Sequence, residues 1–211
     1  MSFADYDALQ AAVLDFNWNR DTSAVVDAIT LAHTKINLGL RVPFMQKTAD
    51  LTIDSYRIAA PADFAAVGRL WIDGTYDQPL APTSPDMLAN LRATYTSAQP
   101  LWYAIEGESD DLEYFVFGPD PGTTTYTGKL LYTRRLAFFA SGAATNVVLT
   151  RYPNLYLYGA LAELANYNMG DTDLAAYGAQ FYALLEQINA QARSDAYAGA
   201  AMQMQIPYGV P

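Results

Sequence analysis

The sequence predicts an α+β protein: a helical bundle core drawn from the N- and C-terminal parts of the chain, a β-rich insertion between them, and an extended C-terminal arm. Three observations carry this reading. Apolar residues recur at helical spacing over residues 1–48 and again over 141–199. Between them, over 49–140, short alternating runs are closed by turn residues, with one helical stretch at 85–95. Residues 200–211 carry no charge at all, unlike an ordinary solvated tail.

Taken in order, Ser2 is an N-cap candidate with Asp5 three residues on, followed by Leu9, Val13 and Phe16 at helical spacing, and this first helix ends near Asn17. A second helix opens at Asp21 or Thr22. It keeps Val25, Val26, Ile29, Ala32 and Ile36 on one side until Gly39 and Pro43 stop it. The β-rich part contributes strands at Leu51–Ile58, Val67–Ile72, Leu101–Ile105, Leu112–Phe117 and Tyr126–Phe138. Asp73-Gly74 is a hairpin-type turn between Leu70-Trp71-Ile72 and Tyr76, and Gly118-Pro119-Asp120-Pro121-Gly122 leaves no room for regular structure. Ser84-Pro85 supplies an N-cap followed by proline at the first helical position, which starts the helix at 85–95.

In the last third, Pro153 suits a first helical turn. Leu155, Leu157, Ala160, Leu161, Ala162, Leu164 and Ala165 leave Glu163 as the one charge, the pattern of a buried helix. Gly170 ends it, Asp171 or Thr172 caps the next, and Asp173 suits the positive end of that helix dipole. Leu174, Tyr177, Phe181, Leu184 and Ile188 then form a seam of roughly 21 Å at 1.5 Å per residue. Beyond Ala198-Gly199, the apolar Met202, Met204, Ile206, Pro207, Tyr208 and Val210 should lie on another surface.

Composition narrows the function. Hydrophobic residues make up 52% of the 211 residues and charged ones 16%, below the quarter usual for a soluble domain, so much of the surface is uncharged or covered by a partner. No apolar run approaches the roughly 18 residues of a membrane span, and the N-terminus lacks a charged-then-apolar leader, so a cytosolic protein is expected. With no cysteine and a single histidine, His33, thiolate chemistry is excluded and a zinc site has almost no ligands. A net charge of −10 argues against a phosphate-neutralising surface. The charge falls in blocks: −4 over residues 1–30, +2 over 31–72, −8 over 73–128, +4 over 129–151 and −4 over 152–211. Alternating signs suit a subunit that meets copies of itself; a solvated acidic surface is the plainer alternative.

Candidate chemistry is thin. His33 lies offset from the apolar stripe of its helix with no cysteine or second histidine to join it. The acids Glu106, Glu108, Asp110, Asp111 and Glu113 match no calcium loop and read as a solvated strand edge that discourages edge pairing. The glycines at 118–122 lack the Gly-Lys-Ser/Thr ending of a phosphate cradle, and Ser141-Gly142-Ala143-Ala144 is no nucleophile elbow. Tyr152, Tyr156, Tyr158, Tyr167, Tyr177 and Tyr182 are placed on helices, where tyrosine serves packing and subunit contact.

The segment Arg151-Tyr152-Pro153-Asn154-Leu155-Tyr156-Leu157-Tyr158-Gly159-Ala160-Leu161-Ala162-Glu163-Leu164-Ala165, followed by a short Gly-Asp turn and a long helix, resembles the C-terminal signature of the head-to-tail adaptor (connector) proteins of tailed bacteriophages. Ala60-Pro61-Ala62-Asp63-Phe64, Leu70-Trp71-Ile72-Asp73-Gly74, Leu80-Ala81-Pro82-Thr83-Ser84-Pro85 and Trp102-Tyr103-Ala104-Ile105-Glu106-Gly107 follow the same pattern, so the resemblance covers residues 1 to about 200. It implies a virion protein of the neck, made in the host cytoplasm, that forms a ring of usually twelve subunits under the portal. Such a ring links the capsid vertex to a tail or neck protein and lets double-stranded DNA pass without specific binding. It implies no catalysis, and the residues themselves lead to the expectation of no cofactor or metal. The arm at Met202, Met204, Ile206, Pro207 and Tyr208 would then dock on the portal. The charged blocks, with Lys129, Arg134, Arg135 and Arg151 facing Glu106, Glu108, Asp110 and Asp111, would join neighbouring subunits. Two rivals stand beside this: a tail-terminator or tail-tube protein, expected to be β-dominated, and a carbohydrate-binding module resting on Trp71, Trp102 and the tyrosines. A glycosidase using two of the acids has nothing to position the pair.

Overall fold

In the computed structural model, the residues described are 3, 5–16, 21–74, 77–95, 98–107, 112–139, 142, 144–167 and 172–197. They form two compact units, a helical one built from the chain up to Pro43 and from Phe138 onward, and a β-rich one from Phe44 to Ala137.

The helical unit contains α1 (Tyr6–Phe16), α2 (Thr22–Gly39), α4 (Val147–Arg151), α5 (Pro153–Tyr167) and α6 (Thr172–Tyr197), while α3 (Pro85–Thr94) belongs to the β-rich unit. The expected cap Ser2 lies outside the described residues. The helix starts at Tyr6, and Oδ1 of Asp5 accepts the Ala8 amide at 2.9 Å, so Asp5 caps α1. Asp21 caps α2, accepting from the Ser23 amide at 2.9 Å. Between them these helices bury Tyr6, Leu9, Val13, Val25, Ala28, Ile29, Ala32 and Ile36. The short α4 was not anticipated; Oδ1 of Asn146 caps it through the Leu149 amide at 2.8 Å. Tyr152, expected on a helix, lies between α4 and α5, and its amide closes α4 on the Val148 carbonyl at 2.7 Å.

Helix α5 is the buried helix its composition predicts. Leu155, Tyr156, Leu157, Ala160, Leu161 and Leu164 are all enclosed, because α1, α2, α4 and α6 pack around it. Gly159 makes this possible: a Cβ there would lie 3.0 Å from that of Ala32 on α2 and 3.1 Å from the ring of Phe181 on α6. Of the predicted α6 seam, Phe181 and Ile188 are buried and Tyr177 and Leu184 half-buried; the Leu174 side chain, Gly170 and Asp171 lie outside the described residues. Tyr177 stacks on Tyr158 of α5 at 6.0 Å between ring centroids.

The β-rich unit holds two four-stranded sheets. One runs β1 (Gln46–Ile53), β8 (Tyr126–Arg134), β3 (Phe64–Ile72), β4 (Gln78–Pro79), all antiparallel. The other runs β2 (Arg57–Ala59), β7 (Glu113–Gly118), β6 (Trp102–Gly107), β5 (Ala81–Pro82), with β5 parallel to β6. The predicted strand Leu51–Ile58 is in fact two, because a turn at 54–56 carries the chain from one sheet to the other. The predicted strand from Tyr126 stops at Arg134 rather than Phe138. Helix α3 (Pro85–Thr94) starts where Ser84-Pro85 places it, with Ser84 Oγ accepting the Met87 amide at 3.3 Å.

Inward-facing residues of both sheets form one core: Leu51, Ile53, Phe64, Leu70, Ile72, Leu80, Tyr103, Phe115, Phe117, Leu130 and Tyr132. Its aromatic centre joins the sheets edge to face, with Phe64 and Phe115 at 5.3 Å. On the other face of the second sheet, α3 sets Leu88 against Ala104 and Val116, with half-buried Trp102 beside them. The described fold is thus α+β; the C-terminal arm expected at 200–211 lies outside the described residues.

Candidate interaction surfaces

The buried polar groups of the helical unit, His33 and Glu163, are satisfied within its own core. His33, buried on α2, has Nδ1 2.8 Å from the Tyr156 hydroxyl and Nε2 2.8 Å from Nδ2 of Asn37. Asn146 Nδ2 donates to the same hydroxyl at 2.7 Å, and burial raises the Tyr156 pKa, so that group stays protonated. His33 is therefore a core histidine, ringed by Phe138, Phe139 and Tyr156. Glu163, the one charge on α5, is buried and ion-paired with Lys35 of α2, whose own pKa is raised chiefly by the hydrogen bond to that carboxylate.

In the β-rich unit, cations and carboxylates meet on the strands. Lys129 on β8 pairs with Asp73 at 3.1 Å, with Asp50 and Asp77 also close enough to act on it, and its pKa is raised first by the Asp73 contact. Arg135 meets Glu113 at 3.3 Å, and its amide donates to the Asp63 carbonyl at 2.6 Å. Arg134, the last residue of β8, is half-buried, its Nε enclosed without a hydrogen-bond partner. Glu106 is half-buried on β6, in register with Tyr114. Arg151 ends α4 in the other unit. Of the residues expected to join subunits, two cations are thus partly neutralised within the chain, and Glu108, Asp110 and Asp111 lie outside the described residues. So do Met202, Met204, Ile206, Pro207 and Tyr208 of the arm.

Three further cations cover aromatic rings: Arg57 over Tyr114 at 4.0 Å, Arg92 over Tyr56 at 4.5 Å and Arg69 over Trp71 at 4.8 Å. Arg69 thus covers one face of the half-buried Trp71, and the half-buried Trp102 packs beside Leu88 of α3, so neither is a fully exposed ring. On the helical unit, Leu31 and Leu38 stand two turns apart on α2, 44% and 71% exposed, and Tyr182 of α6 is 58% exposed. Met87 and Tyr95 around α3 are also open to solvent. Sequence reasoning passed over these residues because exposure, unlike periodicity, depends on which neighbours arrive. Among the described residues, no group of three His, Cys, Asp or Glu could hold a metal, and no helix is long and apolar enough to cross a membrane.

Each unit closes its own core, and charged and apolar groups are distributed over strands and helix faces, a distribution that suits a subunit working through its surfaces. The chain belongs to the SU10 adaptor protein family, whose model matches residues 4–204, a head-to-tail adaptor family of bacteriophages. No curated protein matches it.

Proposed function

We propose that the protein is the head-to-tail adaptor of a tailed bacteriophage virion, forming a ring, a dodecamer by family resemblance, that docks under the portal and connects the capsid vertex to a tail or neck protein. The family match over nearly the whole chain carries this reading. The helical unit, with α5 enclosed by four other helices, favours it over a β-dominated terminator or tube protein. It acts without catalysis or cofactor. The acidic balance of −10 suits a channel wall that repels passing DNA phosphates and lets the genome slide through during ejection.

Neighbouring subunits meet through two different faces, as a closed ring requires. Lys129, Arg134, Arg135 and Arg151 supply basic contacts, and Glu106, Glu108, Asp110 and Asp111 acidic ones. The uncharged Met202, Met204, Ile206, Pro207 and Tyr208 form the arm that reaches the portal. Synthesis takes place in the host cytoplasm and the mature location is the virion neck.

The experiment is to mix the purified chain with assembled portal and image the product by electron microscopy. A ring stacked on the portal is expected; no binding overturns the proposal. A second sample lacking Met202 to Pro211 should stay folded and soluble yet fail to attach, and attachment without those residues would remove the arm from the reading.

A further inference from the structure

Arg41 and Arg193 line one cleft of about 280 Å³, with Asn189 between them. The cleft is built on fixed main chain. The Asn189 side chain accepts the Arg41 amide at 2.7 Å and donates to the Gly39 carbonyl at 2.9 Å, which ties the exit of α2 to α6. The Arg41 guanidinium leans back on the end of α2, its Nη1 donating to the Leu40 carbonyl at 2.7 Å and to that of Asn37 at 3.3 Å. Arg193 Nε donates to the Asn189 carbonyl at 3.3 Å.

Each guanidinium offers five N–H donors in a planar fork. Arg41 uses only Nη1 and Arg193 only Nε, and among the described residues neither meets a carboxylate. Lys35, in the same unit, is matched by Glu163. Two cations lining one cleft suit an anion, and a carboxylate is the group that an arginine fork takes bidentately. The volume falls just below the roughly 300–1,000 Å³ of small-molecule sites, which suits one inserted side chain better than a metabolite. A nucleic acid is disfavoured, since the net charge of −10 repels a polyanion. The chain carries the complement itself: Asp54, Asp86 and Glu106 of the β-rich unit meet no cation among the described residues. A contact between copies that uses two different faces would join these two unmatched sets.

We propose that the Arg41–Arg193 cleft is a carboxylate-binding site that receives an acidic side chain from the β-rich unit of a second copy of this chain. This rests on the ring reading for the presence of a neighbouring copy, and adds a contact that the charged strands do not supply.

Lysine in place of either arginine makes the contact chemically visible, because carbodiimide joins a lysine amine to a carboxylate only when the two touch. Full chains carrying Arg41→Lys or Arg193→Lys, half of them labelled with heavy nitrogen, are mixed at high concentration, coupled and digested for mass spectrometry. Links of mixed isotope from position 41 or 193 to an acid within Phe44–Ala137 are expected, and they should be lost when the lysine is placed instead at the exposed Gln187. Lys35 and Glu163 couple within one chain in every sample and verify the reagent. Links of uniform isotope with no mixed ones beside them, or links no more abundant than at position 187, overturn the proposal. Portal binding is measured separately, so mixed-isotope links without portal attachment would sink the adaptor ring while leaving the contact between copies standing.

Discussion

The hydroxyl of Tyr132 donates to Oδ1 of Asp63 at 2.6 Å, while Lys47 holds Oδ2 of the same carboxylate at 3.0 Å. One carboxylate thus ties β1 and β8 to the start of β3. Burial pushes the Asp63 pKa up, but the Tyr132 hydroxyl and the Lys47 ammonium outweigh it, and the net shift is downward from 3.8. Tyr132→Phe should cost about 1–2 kcal/mol, read as a lower urea midpoint at unchanged slope. A depressed folded pKa stabilises above the unfolded value, so this contribution is full above 3.8 and is lost as pH falls through the folded value. Asp63→Asn should remove that acid-side slope, which urea midpoints measured from pH 3.8 downward would reveal.

Two helical glycines should respond in opposite directions to alanine. At Gly159 the added Cβ meets the Ala32 Cβ at 3.0 Å and the Phe181 ring at 3.1 Å, so these closely packed neighbours must give by a few tenths of an ångström, at an expected cost of about 1–3 kcal/mol. At Gly178 the nearest atom is the Cβ of Ala162 at 3.9 Å, an ordinary contact, and alanine should stabilise by about 0.5–1 kcal/mol through the unfolded chain. Thermal unfolding of the two variants beside the parent distinguishes them by sign.

Glu163 is nearly enclosed, but the Lys35 side chain is 42% exposed. Lys35→Met should therefore cost about 1–3 kcal/mol, less than a fully buried pair would, and the double variant Lys35→Met/Glu163→Met should recover most of it. The Lys35 pKa is raised, so its contribution is full below 10.5 and fades as pH rises through the folded value. The stability gap between parent and Lys35→Met should close at alkaline pH.

Tyr156→Phe keeps the edge contact with Phe139 at 5.1 Å but removes the hydroxyl shared by His33 and Asn146. A loss of about 1–3 kcal/mol follows from leaving those groups without it. Because burial raises the Tyr156 pKa from 10.0, the unfolded chain ionises first, and parent stability falls as pH passes that value. The alkaline slope of the unfolding midpoint should be shallower in the variant.

Signals confined to neighbouring residues were legible in the sequence. Asp21 and Ser84 cap the helices they precede because capping needs only three residues of local geometry. The composition of α5 announced its burial without naming α2 and α6 as the cover. The change of sheet within Leu51–Ile58 shows in the sequence only as a one-residue slip, from apolar Leu51 and Ile53 to apolar Tyr56 and Ile58, too small to separate two strands; there Ser55 Oγ donates to the Arg57 carbonyl at 2.8 Å. Strands β4 and β5 have two residues each, both ending in proline, too short for any periodicity. Candidate site residues fared less evenly. Lys129 and Arg135 were singled out as cations, but their partners Asp73 and Glu113 are set by tertiary placement. Nothing in either local sequence hints that Arg41 and Arg193 line one cleft.

That the helical unit draws on both ends of the chain has a consequence on the ribosome. When α2 emerges, its Val25, Ile29 and Ile36 face has no α5 to cover it, because the whole β-rich unit is translated first. At roughly 5–20 residues per second, that interval lasts on the order of 6–25 seconds. The nascent chain carries an unfinished apolar surface throughout that time, the kind of transient exposure that makes chains aggregation-prone and that chaperones shield.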